Sequence, residues 1–90
     1  MTAPEAIEVK LYTRRDCPLC VKAAKFLRLA EGSWPLSVVS IDIDADPQLQ
    51  KAYGNCVPVV LVNGKLRFRG QINPVLWKRL MAKESNRVSR

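Results

Sequence analysis

The chain has 90 residues, 48% of them apolar and 26% charged, with a formal net charge of +7 and no histidine. That length holds one small domain around one core, and the apolar fraction excludes a disordered chain. No run of about 18 apolar residues exists to span a membrane helically, and without histidine the commonest general base and the commonest zinc ligand are both missing.

The opening "MTAPEAIEVK" lacks the basic and apolar regions of a signal peptide, so a reducing cytoplasm is the expected compartment. Ile7-Glu8-Val9-Lys10-Leu11-Tyr12 alternates apolar and charged residues and predicts a strand. Pro18 then stands at a first helical position, where its missing N–H would be unpaired anyway. Leu19, Ala23, Phe26, Leu27 and Ala30 follow at helical spacing, opposed by a basic stripe of Lys22, Lys25 and Arg28, with Gly32 as the stop. Trp34 and Pro35 occupy a loop, and "LSVVSIDI" (36–43), rich in β-branched residues, predicts a second strand.

"DADPQLQKAYG" (44–54) has an acidic cap, an early proline and a terminal glycine, and predicts a short helix. Asp42, Asp44 and Asp46 are spaced like the start of a calcium loop. Pro47 and Tyr53 stand where that loop needs glycine and glutamate, so the aspartates read as a strand end and a helix cap. "VPVVLV" (57–62), the turn Asn63-Gly64 and "KLRFRG" (65–70) predict a hairpin. Asn73-Pro74 opens a last helix whose apolar face is expected at Ile72, Leu76 and Leu80, with packing roles for Trp34 and Trp77. The expectation is a single α/β domain over 1–90, order β-α-β-α-β-β-α, with a core at about 7–82 and a basic tail at about 83–90. The first two strands, joined by a helix, should be parallel.

The chemistry concentrates in "RRDCPLC", residues 14–20. A closed zinc site needs four ligands, and three cysteines without histidine fall short, since Asp16 adjoins Cys17 too closely to share its metal. A structural disulfide across so short a loop removes little chain entropy. A redox pair uses every neighbour: Cys17 at the helix N-cap meets free N–H groups and the positive end of the dipole, and Arg14 and Arg15 add positive charge. All three favour thiolate, and Asp16 opposes them. Cys20, one turn inside, suits a resolving thiol. Cys56 has two readings, a half-buried packing residue or a third thiol beside the pair.

"LYTRRDCPLC" and "CVPVVLVNGK" (56–65) resemble the opening strand with C-P-x-C site and the T-V-P segment of the glutaredoxin and thioredoxin superfamily, over about residues 7 to 82. The resemblance implies a thioredoxin-like fold with a four-stranded mixed sheet. It implies Cys17 as nucleophile, Cys20 as resolving thiol, and Pro58 as a cis-proline packed against them, with Val57 pairing the substrate chain. The sequence departs from the pattern at Leu19, where the family has an aromatic, at Cys56, where it has threonine, and at "RGQINP". There the glutathione-binding G-G-x-D-D turn keeps Gly70 and lacks both aspartates. The chain thus looks closer to the small glutaredoxin-like proteins than to a standard glutaredoxin.

The implied function is a monomeric thiol-disulfide oxidoreductase acting on disulfide-containing proteins. It needs no resident cofactor or metal and no nucleic-acid or membrane partner, and it draws electrons from glutathione, weakly bound, or from a reductase. Two other readings stand beside it: a metal or iron–sulfur carrier, and a non-catalytic module of the same fold that uses its basic surface.

Overall fold

A computed structural model describes residues 6–54 and 56–88. Strands β1 (Ile7–Thr13), β2 (Leu36–Asp42), β3 (Val59–Val62) and β4 (Lys65–Arg69) form one sheet in the order β2-β1-β3-β4. β1 and β2 are parallel, as the intervening helix α1 (Pro18–Ala30) requires, whereas β1–β3 and β3–β4 are antiparallel. Asn63 (φ 50°) and Gly64 (φ 84°) make the β3–β4 turn with both residues left-handed, the conformation that favours Asn-Gly. Helix α2 (Pro47–Tyr53) precedes β3 and helix α3 (Pro74–Val88) follows β4.

The period-two alternation of β1 separates the two faces of the sheet. Ile7, Val9 and Leu11 join Val60, Val62 and Phe68 beneath Ala23 and Leu27 of α1 and Trp77 and Met81 of α3. Tyr12 and Val59 face the other way, into a smaller cluster with Ile43, where Leu49 and Tyr53 of α2 pack. Leu27 is 1% exposed, and burying such a side chain stabilises by about 1.5–3 kcal/mol. The ring of Trp77 meets Phe26 edge-on at 5.6 Å and Phe68 at 6.2 Å, so α1, β4 and α3 share one aromatic seam.

Three boundaries and one helix face differ from the sequence-based expectation. The expected helix at 44–54 is divided: a 3₁₀ turn, Ile43–Ala45, ends at Asp46, whose Oδ1 accepts the N–H of Gln48 at 2.9 Å and caps α2 afresh before Pro47. β3 starts at Val59 rather than 57, because Pro58 has no N–H to give a ladder. The buried face of α3 is Trp77, Met81 and Glu84, while Leu76 is 52% exposed. Finally, α3 runs on through the expected tail to Val88 with Glu84 buried, so the packed body extends beyond residue 82; residues 89–90 lie outside the described residues.

Glu84 explains that extension. Its Oε1 accepts the Nδ2–H of Asn63 at 2.6 Å, and Asn63 Oδ1 accepts the N–H of Glu8 at 3.0 Å. A single hairpin-turn side chain therefore links β1 to the last helix.

Candidate functional site

The end of β1 delivers the thiols. Asp16 (φ 53°) turns the chain in the left-handed region, which aspartate enters more readily than most residues, and Cys17 then caps α1. Cys17 is extended (φ −113°, ψ 100°), its carbonyl accepts the N–H of Val21 at 3.1 Å, and its Sγ accepts the N–H of Cys20 at 3.2 Å. A sulfur at this position sits where the first-turn amides and the helix dipole favour negative charge. Cys17 and Cys20 form a disulfide, with Cα atoms 5.2 Å apart, within the normal range. The two thiols are unequal in access: Cys17 is half-buried, whereas Cys20 is 3% exposed.

The second half of the site comes from the segment after α2. The Val57–Pro58 bond is cis, and Pro58 is buried. The backbone groups of Val57 make no hydrogen bond among the described residues. The Pro58 carbonyl accepts the N–H of Gly70 at 2.8 Å, so the turn after β4 is tied to the proline. Gly70 is left-handed (φ 78°), a conformation open to glycine. Cys56 is a free, half-buried thiol in the turn before β3, packed with the Tyr12–Ile43–Val59 cluster; the stacked rings of Tyr12 and Tyr53, 5.0 Å apart, lie in the same cluster.

The two arginines before Cys17 differ in role. Arg14 turns toward α2: its Nε–H donates to Asp44 Oδ1 at 3.1 Å and its Nη1–H to the Gly54 carbonyl at 3.0 Å. Gln50 Nε2 donates to the same Asp44 oxygen at 2.9 Å. The Gln50 amide, then the charge and hydrogen bond of Arg14 and the charge of Arg15, hold the Asp44 carboxyl below its ordinary value. Arg14 thereby joins the segment leading into Cys17 to the segment leading into Pro58. Arg15 is exposed and makes no ion pair among the described residues. Nothing local in the sequence marks the partners of Arg14, which lie 30 and 40 residues away.

Beside the thiols, between α1 and the turn into α3, lies a pocket of about 180 Å³ lined by Leu19, Lys22, Phe26, Gly70, Gln71 and Ile72. Sequence reading singled out Leu19 and Gly70 and missed the rest, although 19, 22 and 26 fall on one helical face. Among the described residues no group of three or more His, Cys, Asp or Glu side chains is placed to hold a metal ion, and no helix is long and apolar enough to cross a membrane.

Comparison with known proteins agrees with this arrangement. A Halobacterium salinarum thioredoxin superposes with a TM-score of 0.68 at 19% identity, over 88% of this chain and 74% of that one. A protein from X. campestris superposes with a TM-score of 0.66 at 33% identity, over 82% and 96% of the two chains. The fold is therefore thioredoxin-like, with a cysteine pair suited to redox chemistry where α1 begins. An uncharacterized protein of Mycobacterium tuberculosis is 32% identical over 63 residues, and the match spans 64% of this chain and 65% of that relative's length. The family model described as Glutaredoxin-like domain (DUF836) matches residues 8–84, and with most of its length so covered the chain belongs to that glutaredoxin-like family.

Proposed function

We propose that the protein is a dithiol thiol-disulfide oxidoreductase acting on disulfide-containing proteins. The thiolate of Cys17 attacks one sulfur of a substrate disulfide. The substrate S–S bond breaks, the first substrate thiolate leaves and takes a proton from solvent, and a mixed disulfide with Cys17 remains. Cys20, deprotonated, then attacks Cys17 Sγ, releases the second substrate thiol and closes the Cys17–Cys20 bond. Two electrons have passed to the substrate, and a thiol donor, glutathione or a reductase, restores the dithiol.

The observation that carries this reading is the asymmetry of the pair: Cys17 half-buried on a helix N-cap, Cys20 buried one turn inside. The backbone of Val57, which makes no hydrogen bond among the described residues, supports it too, because an extended substrate segment can hydrogen-bond there as an added strand. Arg15, exposed and without an ion pair among the described residues, supplies positive charge two residues before Cys17, and the protein acts as a monomer in a reducing cytoplasm.

Single substitutions test the mechanism. Cys17→Ser is expected to abolish reduction of protein disulfides, and Cys20→Ser to accumulate mixed disulfides that mass spectrometry detects. Full turnover by Cys20→Ser would refute the dithiol mechanism and point to Cys56 as the resolving group.

A further inference from the structure

We infer that the pocket beside the redox pair is a substrate-selecting slot for a large apolar side chain next to the reactive cysteine of a protein substrate, with Lys22 choosing an acidic neighbour. The inference rests on the redox reading above and adds the class of substrate.

The pocket begins at Leu19, which with Pro18 separates the two cysteines in the chain, and it reaches Gly70, whose N–H is bonded to the Pro58 carbonyl. Leu19, Phe26 and Ile72 provide apolar walls, and Phe26 is braced by its edge-on contact with Trp77. Its volume, about 180 Å³, is that of a slot for one group: an apolar cavity of about 150 Å³ takes a benzene ring.

Several backbone donors of the adjacent turn are already committed. The Gly70 N–H donates to the Pro58 carbonyl at 2.8 Å and the Gln71 N–H to the Arg69 carbonyl at 2.9 Å. At the start of α3, Asn73 Oδ1 takes the N–H groups of Val75 and Leu76 at 2.9 and 3.1 Å. A carboxylate seated here would have to displace these bonds or rely on the exposed Gln71 side chain, so the turn offers an amino-acid headgroup few fixed donors. An apolar side chain asks for none.

One charge remains. Among the described residues Lys22 is the only charged one lining the pocket; it is exposed and has no ion pair. No carboxylate lines the pocket to satisfy it, so the complementary substrate carries a carboxylate within reach of the rim. Such charges act chiefly on encounter and on choice of partner.

The test uses four synthetic peptide disulfides on one scaffold. Each has leucine or serine beside the reactive cysteine and glutamate or lysine two residues further on; oxidised glutathione is the fifth substrate. Prereduced protein reduces each in a single turnover at low salt with no other thiol present, and second-order rate constants are compared. The leucine/glutamate peptide is expected to react roughly tenfold faster than serine/glutamate, the scale of burying one such side chain, and faster than oxidised glutathione. Lys22→Glu, on an exposed position and checked by circular dichroism, is expected to reverse the preference for glutamate over lysine, by roughly threefold, while keeping the preference for leucine. Equal rates on all four peptides, oxidised glutathione as the fastest substrate, or an unchanged charge preference in Lys22→Glu would each overturn the slot while leaving the redox chemistry standing. Failure to reduce any of the five would overturn the redox reading and the slot together.

Discussion

Two glycines of this chain form a matched pair that isolates the link between the turn after β4 and the proline segment. Gly64 (φ 84°) and Gly70 (φ 78°) are both left-handed, and an added Cβ would meet nothing within 4 Å at either. Alanine at either position therefore brings a backbone penalty of about 1–2 kcal/mol and no collision. The stiffer unfolded chain returns about 0.4–1 kcal/mol, so each variant should lose about 1 kcal/mol, or roughly 4–8 °C in Tm for a domain this small. The positions differ in one respect: the Gly70 N–H holds the Pro58 carbonyl at 2.8 Å. In Gly70→Ala, relaxation of the substituted residue toward negative φ turns that N–H away. A neutral hydrogen bond contributes about 0.5–1.5 kcal/mol; if Pro58 is held in place for the transition state, the rate of disulfide reduction should fall about two- to tenfold. The assay is thermal unfolding of both variants beside single-turnover reduction of one peptide disulfide. A Tm loss in Gly70→Ala at least as large as in Gly64→Ala, with a rate loss confined to Gly70→Ala, is expected. Equal rates in the two variants, or equal rate losses, would refute the idea that the Pro58–Gly70 bond positions the site.

Asp44 gives a pH signature. Its carboxyl is held below the ordinary value of 3.8, so its contribution to stability is present above that value and is lost as pH falls through the lower folded value. The stability gap between the parent and Asp44→Asn, measured by denaturant unfolding, should be constant above about pH 5 and close below 3.8; a gap that widens in acid would refute the assignment. Asn63→Ala should cost about 1–3 kcal/mol by removing the donor to the buried Glu84 Oε1, with about 1–2 kcal/mol more for the left-handed backbone. Asn63→Gly should be spared the second part in urea unfolding. Iodoacetamide at mildly acidic pH should label Cys17 of the reduced protein before Cys20 or Cys56, read by mass spectrometry, and uniform labelling would contradict the N-cap assignment. In coupled assays at matched thiol concentration, glutathione should support slower turnover than a reductase, and a low Michaelis constant for glutathione would refute the weak binding expected of the "GQINP" turn.

Local periodicity made β1 and α1 legible, since alternation in β1 and the Ala23 and Leu27 positions in α1 reflect the side each residue buries. The α3 face was misread for a physical reason. Leu76 and Trp77 are adjacent, the helix can bury only one of them, and the larger ring reaching Phe26 and Phe68 decides the rotation. Glu84 looks like a surface charge in sequence; its burial depends on an amide contributed by a turn 21 residues earlier. The thiols were readable from their short spacing at the start of a helix, and the proline from the resemblance that "CVPVVLVNGK" carries. The grip of Arg14 on Asp44 and Gly54 was not, because it exists only after two remote segments meet.

On the proposed mechanism, the seam between β1 and β3 also decides when the site is whole. The thiols belong to a β1–α1–β2 unit built on parallel pairing, and Pro58 and Gly70 belong to the β3–β4 hairpin and its outgoing turn. Neither unit holds a whole site; Arg14 and the β1–β3 ladder complete it when the two dock. A nascent chain that has closed only its first unit has two reactive sulfurs and nothing to select their partner. Refolding followed by two readouts should then show alkylation protection of Cys20 rising first and peptide reduction last. On the proposed dithiol mechanism, substrate discrimination is a property of the finished molecule, and its appearance marks the end of folding.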